Sequence, residues 1–235
     1  MITRVAVVPH PPLLVPELVP GRVDSTGPVR EATLAAVARL AQVSRDWVAV
    51  AAGEGGHRFG PESAGSFRGY GVDVPVTLSA GHGAGAPADL PLPVLVAGWL
   101  RARAGADSVR VEPVAPAASP AECAELGAEL ARRDTETGLL VLGDGANCHG
   151  PRAPGFQDGR AADFDAKVAS ALAGADAETL LALDPDLAAE LGAAGRAPWQ
   201  VLAGLARRWP GWRGELLYSA APFGVAYHVA VWERR

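Results

Sequence analysis

The sequence predicts an α/β fold: a three-layer α/β/α domain with a mainly parallel or mixed central sheet. Three observations lead to it. Short β-branched or apolar runs alternate with longer Ala/Leu-rich segments, the pattern left when crossover helices cover both faces of a sheet. Stretches rich in Gly and Pro follow several of the apolar runs, where strand ends deliver loops into a common crevice. At 235 residues, 49% hydrophobic and 20% charged, the chain can bury one core, and residues 1–235 read as a single domain without repeats or a low-complexity linker.

The strand candidates are Arg4–Val8, Trp47–Ala51, Ser108–Val114, Leu139–Leu142 and Glu215–Tyr218, with Ala226–Trp232 closing the sheet. Apolar positions recur at helical spacing in Val29–Gln42, Leu92–Ala104, Pro120–Arg133, Ala161–Leu172 and Pro198–Arg208. Ser119-Pro120 supplies a capping side chain followed by a first-turn proline, and Asp184-Pro185 opens a shorter helix in the same way. Gly53–Pro61, Gly81–Pro93 and Gly143–Gly159 are the loops in which chemistry is expected.

Charge narrows the partners. A net charge of −5 without long runs of one sign offers no footprint for nucleic acid or an anionic membrane surface. No apolar run approaches the roughly 18 residues of a membrane-spanning helix, and Met1–His10 lacks the features of a signal peptide. Cys123 and Cys148 are the only 2 cysteines, too few for a disulfide framework, so a reducing, cytoplasmic setting is expected.

Of the 5 histidines, His10, His57 and His149 each follow a predicted strand. Imidazole binds borderline metals and moves protons near neutral pH, so these three are the site candidates. His82 reads as a loop residue, and His228, within the last strand, as a structural hydrogen-bonding group. Gly53–Gly56 lacks a Walker or dinucleotide fingerprint, which makes a tight turn the better reading than a phosphate loop. Cys148 reads as a packed thiol, because neighbouring side chains in extended backbone point apart and His149 would not activate it. Trp199, Trp209 and Trp212 are expected in the core, with a pocket or a homo-oligomer interface as alternatives. Arg160, near Asp158 and Asp163, is expected in a solvated loop salt bridge.

Five segments resemble the superfamily of class III extradiol dioxygenase catalytic subunits and Memo-like proteins. Pro9-His10-Pro11-Pro12 resembles its first-ligand region, and Gly53-Glu54-Gly55-Gly56-His57 the loop where the family often supplies another histidine. Gly143-Asp144 through Cys148-His149-Gly150 is similar to its later active-site loop. Ala194-Gly195-Arg196-Ala197-Pro198 resembles the Memo-like Cys-Gly-Arg-His-Pro segment, and Phe223–Tyr227 the closing strand. Two departures stand out: Ala194 replaces a potential sulfur ligand with a methyl group, and Asp144 lies farther before His149 than in the Memo-like pattern.

The resemblance implies ferrous iron held by His10, His57 and one carboxylate, Glu54 or Asp144, with His149 as the acid/base residue. A small aromatic diol would be the substrate and ring opening the reaction. The alternative is a catalytically inactive superfamily member acting as a small-molecule-binding or scaffold protein, which Ala194 favours.

Overall fold

The computed structural model describes residues 1–19, 24–54, 56–81 and 88–234. In chain order the elements are β1 (Arg4–Val8), α1 (Gly27–Ala41), β2 (Asp46–Ala52), β3 (Ala64–Ser66), β4 (Pro75–Thr77), α2 (Leu92–Ala104), β5 (Ser108–Val114), α3 (Pro120–Ala131), β6 (Gly138–Leu142), α4 (Arg160–Gly174), α5 (Ala177–Leu181), α6 (Pro185–Glu190), α7 (Arg196–Arg208), β7 (Trp212–Ala220) and β8 (Tyr227–Arg234). Six strands form one sheet in the order β5-β2-β6-β1-β8-β7. The first four run parallel, and β8 and β7 add an antiparallel edge. The predicted α/β/α class is the observed one.

Apolar residues on both faces of a strand require cover on both sides, and β1 shows how this is met. Val5 and Val7 join one apolar cluster with α3, α4 and α7, whereas Ala6 and Val8 join the other with α1 and α2. Both clusters therefore pack on opposite faces of the same sheet. Among the described residues no helix is long and apolar enough to cross a membrane.

The capping signals act as read. Ser119 and Glu122 form a reciprocal capping box at the start of α3, and Asp184 accepts from the backbone N–H of Asp186 and Leu187 at the start of α6. Five elements differ from the sequence reading. β7 is longer than Glu215–Tyr218, with a register shift between Leu216 and Tyr218, and β8 runs beyond Trp232 to Arg234. The β3–β4 pair was not expected, since strands of three residues are too short for an alternating pattern to show. Nor was α5, whose Asp176 cap accepts from Thr179 N–H. The tryptophans divide: Trp199 is fully buried and Trp212 half-buried, whereas Trp209 is 42% exposed and packs under the Arg234 guanidinium.

α3 and α7 pack backbone against backbone. A Cβ at Gly204 would stand 2.4 Å from Ala124 Cα, so no side chain fits without separating the helices. Gly204→Leu is expected to lower the urea midpoint with an unchanged m-value, a loss of about 1–3 kcal/mol typical of overpacking. An unchanged midpoint would show that this contact is not tight in solution.

Candidate functional site

The carboxyl ends of β1, β2 and β6 open on one edge of the sheet, and their loops carry His10, His57 and Asp144–His149. Because β6 lies between β2 and β1, the Asp144 loop runs between the loops of His57 and His10. Antiparallel β8 begins at this edge too, bringing Tyr227 and His228 to it.

His10 and Asp144 form the first group. The His10 backbone N–H donates to Asp144 Oδ1 at 2.9 Å, and its ring Nδ1 lies 3.7 Å from the same oxygen. His10 is buried, and its Nδ1 has no hydrogen-bond partner among the described residues. A buried nitrogen left unpaired beside a carboxylate is costly unless a cation or donor occupies the space between. The Gly195 N–H donates to the Asp144 carbonyl at 2.8 Å, so the Ala194-Gly195 segment is fastened to this loop. Ala194 itself lines a separate cavity of about 230 Å³ with Pro185 and Ala188.

The second group centres on Asp165, a buried carboxylate in α4. Its Oδ2 lies 2.6 Å from His149 Nε2, and its Oδ1 lies 3.0 Å from His228 Nε2. The Ala146 N–H points at both oxygens, at 3.3 and 3.2 Å. Because a carboxylate only accepts, both imidazoles present Nε2–H to it. That leaves His149 Nδ1 outside the contact with Asp165, while His228 Nδ1 accepts from the Ser219 hydroxyl at 3.0 Å. The edge of Trp199 lies against the His228 ring, with centroids 5.8 Å apart. Gly145 permits the approach, since a Cβ there would stand 2.3 Å from Asp165 Oδ1.

His149 lines a cavity of about 460 Å³ with Pro151, Arg152, Ala221, Pro222, Phe223 and Gly224. Its backbone N–H donates to the Gly224 carbonyl at 3.0 Å, the Gly145 N–H donates to the Ala226 carbonyl, and the Ala226 N–H donates to the Ala146 carbonyl.

The remaining candidates stand elsewhere on the edge. His57 is exposed, its ring edge against Phe59 at 5.0 Å. Glu54 is exposed and lines an apolar cavity of about 200 Å³ with Phe59, Pro91 and Pro113. Among the described residues no three His, Cys, Asp or Glu side chains gather as a metal-holding group. His82 and Gly55 lie outside the described residues. Cys148 is buried, with its Sγ directed at Asn147 Oδ1 and the Leu191 carbonyl. Burial pushes its thiol up, Asp158 adding to the shift and Arg160 opposing it, as suits a packed thiol. Arg160 is held by Asp158 and Glu190, the salt bridge expected of it.

His228 makes the expected hydrogen bonds, but its partner makes it more than a local tie, because Asp165 links it to His149. Asp165 itself went unread. Its signal was present: α4 buries Ala161, Phe164, Asp165, Val168 and Leu172, one helical stripe in which a single carboxylate interrupts apolar positions.

No protein-family model matches the chain, and comparison with curated proteins returns no relative. Among solved structures, the chain is similar to the crystal structure of the uncharacterized protein JW3007 from Escherichia coli K12, at 13% identity and a TM-score of 0.52, covering 98% of this chain and 99% of that one. At that identity the likeness concerns the fold, which it supports from end to end.

Asp165→Asn tests the second group. The carboxamide keeps the shape but accepts at one atom only, so one imidazole must lose its acceptor. A stability loss of about 1–3 kcal/mol is expected, with ¹⁵N spectra showing a changed tautomer at His149 or His228. Wild-type stability with unchanged ring signals would break the bridged arrangement.

Tyr227 sets a pH dependence. Burial first, then the charges of Asp144 and Tyr218, raise its phenol well above the usual range. The native state keeps a proton that the unfolded state releases near pH 10, so this stability is complete below that pH and is lost as pH rises toward the folded value. The urea midpoint is expected to fall between pH 9 and pH 11 by more in the wild type than in Tyr227→Phe. Equal falls would count against the raised phenol.

Proposed function

We propose that this chain is a class III extradiol-dioxygenase-like protein, a ferrous-iron-dependent oxygenase that opens the ring of a small aromatic diol. The observation that carries the reading is the His149–Asp165 contact at 2.6 Å, with His149 on the wall of a ligand-sized cavity. A histidine whose Nε2–H is anchored on a buried carboxylate has its tautomer and orientation fixed, which is what a general base needs. His149 Nδ1 would take a proton from a diol hydroxyl, and Asp165 would stabilise the imidazolium that forms. His228 and Ser219 hold the far side of Asp165, so the carboxylate cannot turn away.

Iron would be held by His10 and Asp144, with His57 from the adjacent β2 loop as third ligand and Glu54 as the alternative carboxylate. Two histidines and one carboxylate with open positions is the usual arrangement of non-haem ferrous oxygenases, and here the exposed His57 would have to approach to complete it, since no three such side chains gather among the described residues. The unpaired His10 Nδ1 beside Asp144 supports a cation there. When bound, iron would supply the redox chemistry with dioxygen that no side chain provides.

A small-molecule-binding protein without catalysis is the second reading. It draws on Ala194, which has no donor atom where the resembling segment carries cysteine, and which lines a cavity on the α6–α7 side.

Anaerobic addition of ferrous iron followed by oxygen uptake on catechol separates the two. Stoichiometric iron and uptake are expected in the intact protein. His10→Ala should lose iron, and His149→Ala should keep iron while uptake falls about 10²–10⁴-fold, the usual worth of a general base. Failure of the intact protein to bind iron would overturn the oxygenase reading.

A further inference from the structure

Phe156 stands 96% exposed, against 49% for Met1, the next most exposed large apolar side chain among the described residues. Its backbone is fastened on both sides: the Gly155 N–H donates to the Asn147 carbonyl at 3.0 Å, and the Asp158 N–H to the Cys148 carbonyl at 3.1 Å. Gly155 packs so closely that an added Cβ would stand 2.4 Å from Asn147 Oδ1. The ring is therefore held out in water by an anchored loop, although solvating a phenyl group is unfavourable. An aromatic side chain presented in this way is a common centre of a protein interface.

The neighbouring surface offers a place for such a ring. The cavity of about 230 Å³ at α6 and α7 is walled by Pro185, Ala188, Ala189, Ala193 and Ala197, small apolar side chains that leave room for a phenyl group. An apolar cavity of about 150 Å³ is enough to take benzene, so volume and chemistry both match. Arg196 lines the cavity as well, and a guanidinium beside an aromatic ring adds attraction. Knob and hole adjoin. Arg160, on the Phe156 connection, pairs with Glu190 next to Ala189, and the Asn147 N–H donates to the Leu191 carbonyl at 2.9 Å.

We propose that two copies of this chain associate about a twofold axis, with Phe156 of each copy entering the α6–α7 cavity of the other. A surface that carries both halves of a contact is complementary to itself, and twofold pairing uses both halves at once and closes the assembly. The inference goes beyond the oxygenase reading, since neither His10 nor His149 takes part in the contact.

Sedimentation velocity of the full chain across a concentration series tests it, with a monomer–dimer equilibrium expected. Phe156→Ser removes the knob and Ala189→Trp fills the hole. Both positions are exposed, so both variants are expected to fold, which circular dichroism checks. Each should raise the dissociation constant at least about tenfold, the scale set by losing a buried aromatic anchor, whereas Phe156→Trp should keep the dimer. An equimolar mixture of the two variants should form more dimer than either alone, because the ring of the Ala189→Trp copy meets the open cavity of the Phe156→Ser copy and restores one of the two contacts. A wild-type chain that stays monomeric, or one that forms open polymers, would overturn the proposal. So would a dimer indifferent to either variant, or a mixture no more dimeric than its components.

Discussion

The Asp165 carboxylate is the constraint on which the candidate site depends. A buried carboxylate must have its lone pairs occupied, and here the three donors come from two separate parts of the chain: His149 and the Ala146 N–H on the β6 loop, and His228 in β8. Each hydrogen bond to a charged group contributes about 1.5–3 kcal/mol, and stranding any partner in the interior costs comparably. α4 therefore cannot shift along the sheet, nor β8 slip by one residue, without leaving imidazoles unpaired. A one-residue slip would also exchange Tyr227 and His228 between the two faces of the sheet. Structural specificity and the placement of a base arise from the same bonds.

The sheet edge separates two kinds of chemistry. Tyr227 joins the apolar cluster of the α1 and α2 face, where burial, and after it the Asp144 charge, raises its phenol. His228 lies on the opposite face, against Trp199 of α7 and Asp165 of α4. The loop from Asp144 to His149 connects the sides, and on the proposed reading it would offer a cation position at one end and a proton acceptor at the other. Such a division suits a reaction in which an electrophilic centre and a base act on different atoms of one substrate.

Most of the fold was legible because the strands and helices express periodicity directly. Val5 to Val8 are apolar on both faces, which only a covered strand requires, and Ser119-Pro120 with Glu122 spells a helix start in side-chain donors and acceptors. β3, β4 and α5 were not legible, since three to five residues hold too little pattern and tertiary contacts decide them. The site was half legible. His10 and His149 could be singled out by their positions after strands, and Asp144 by its loop. Asp165 lay inside what read as an ordinary amphipathic helix, and its pairing with residues 16 and 63 positions away along the chain comes from topology that no local pattern encodes. His228 was recognised as a hydrogen-bonding residue, but its connection to His149 passes through that same unread carboxylate.

On the proposed reading, the edge holds a metal position at His10 and Asp144, distinct from a proton-handling group at His149, Asp165 and His228. Diffraction at the iron absorption edge from anaerobically grown, ferrous-loaded crystals tests it most directly. The expected result is one anomalous peak within coordination distance of the His10 imidazole and the Asp144 carboxylate, with the Asp165 bridge between His149 and His228 intact. A peak on His149 or Asp165, or none at His10, would contradict it.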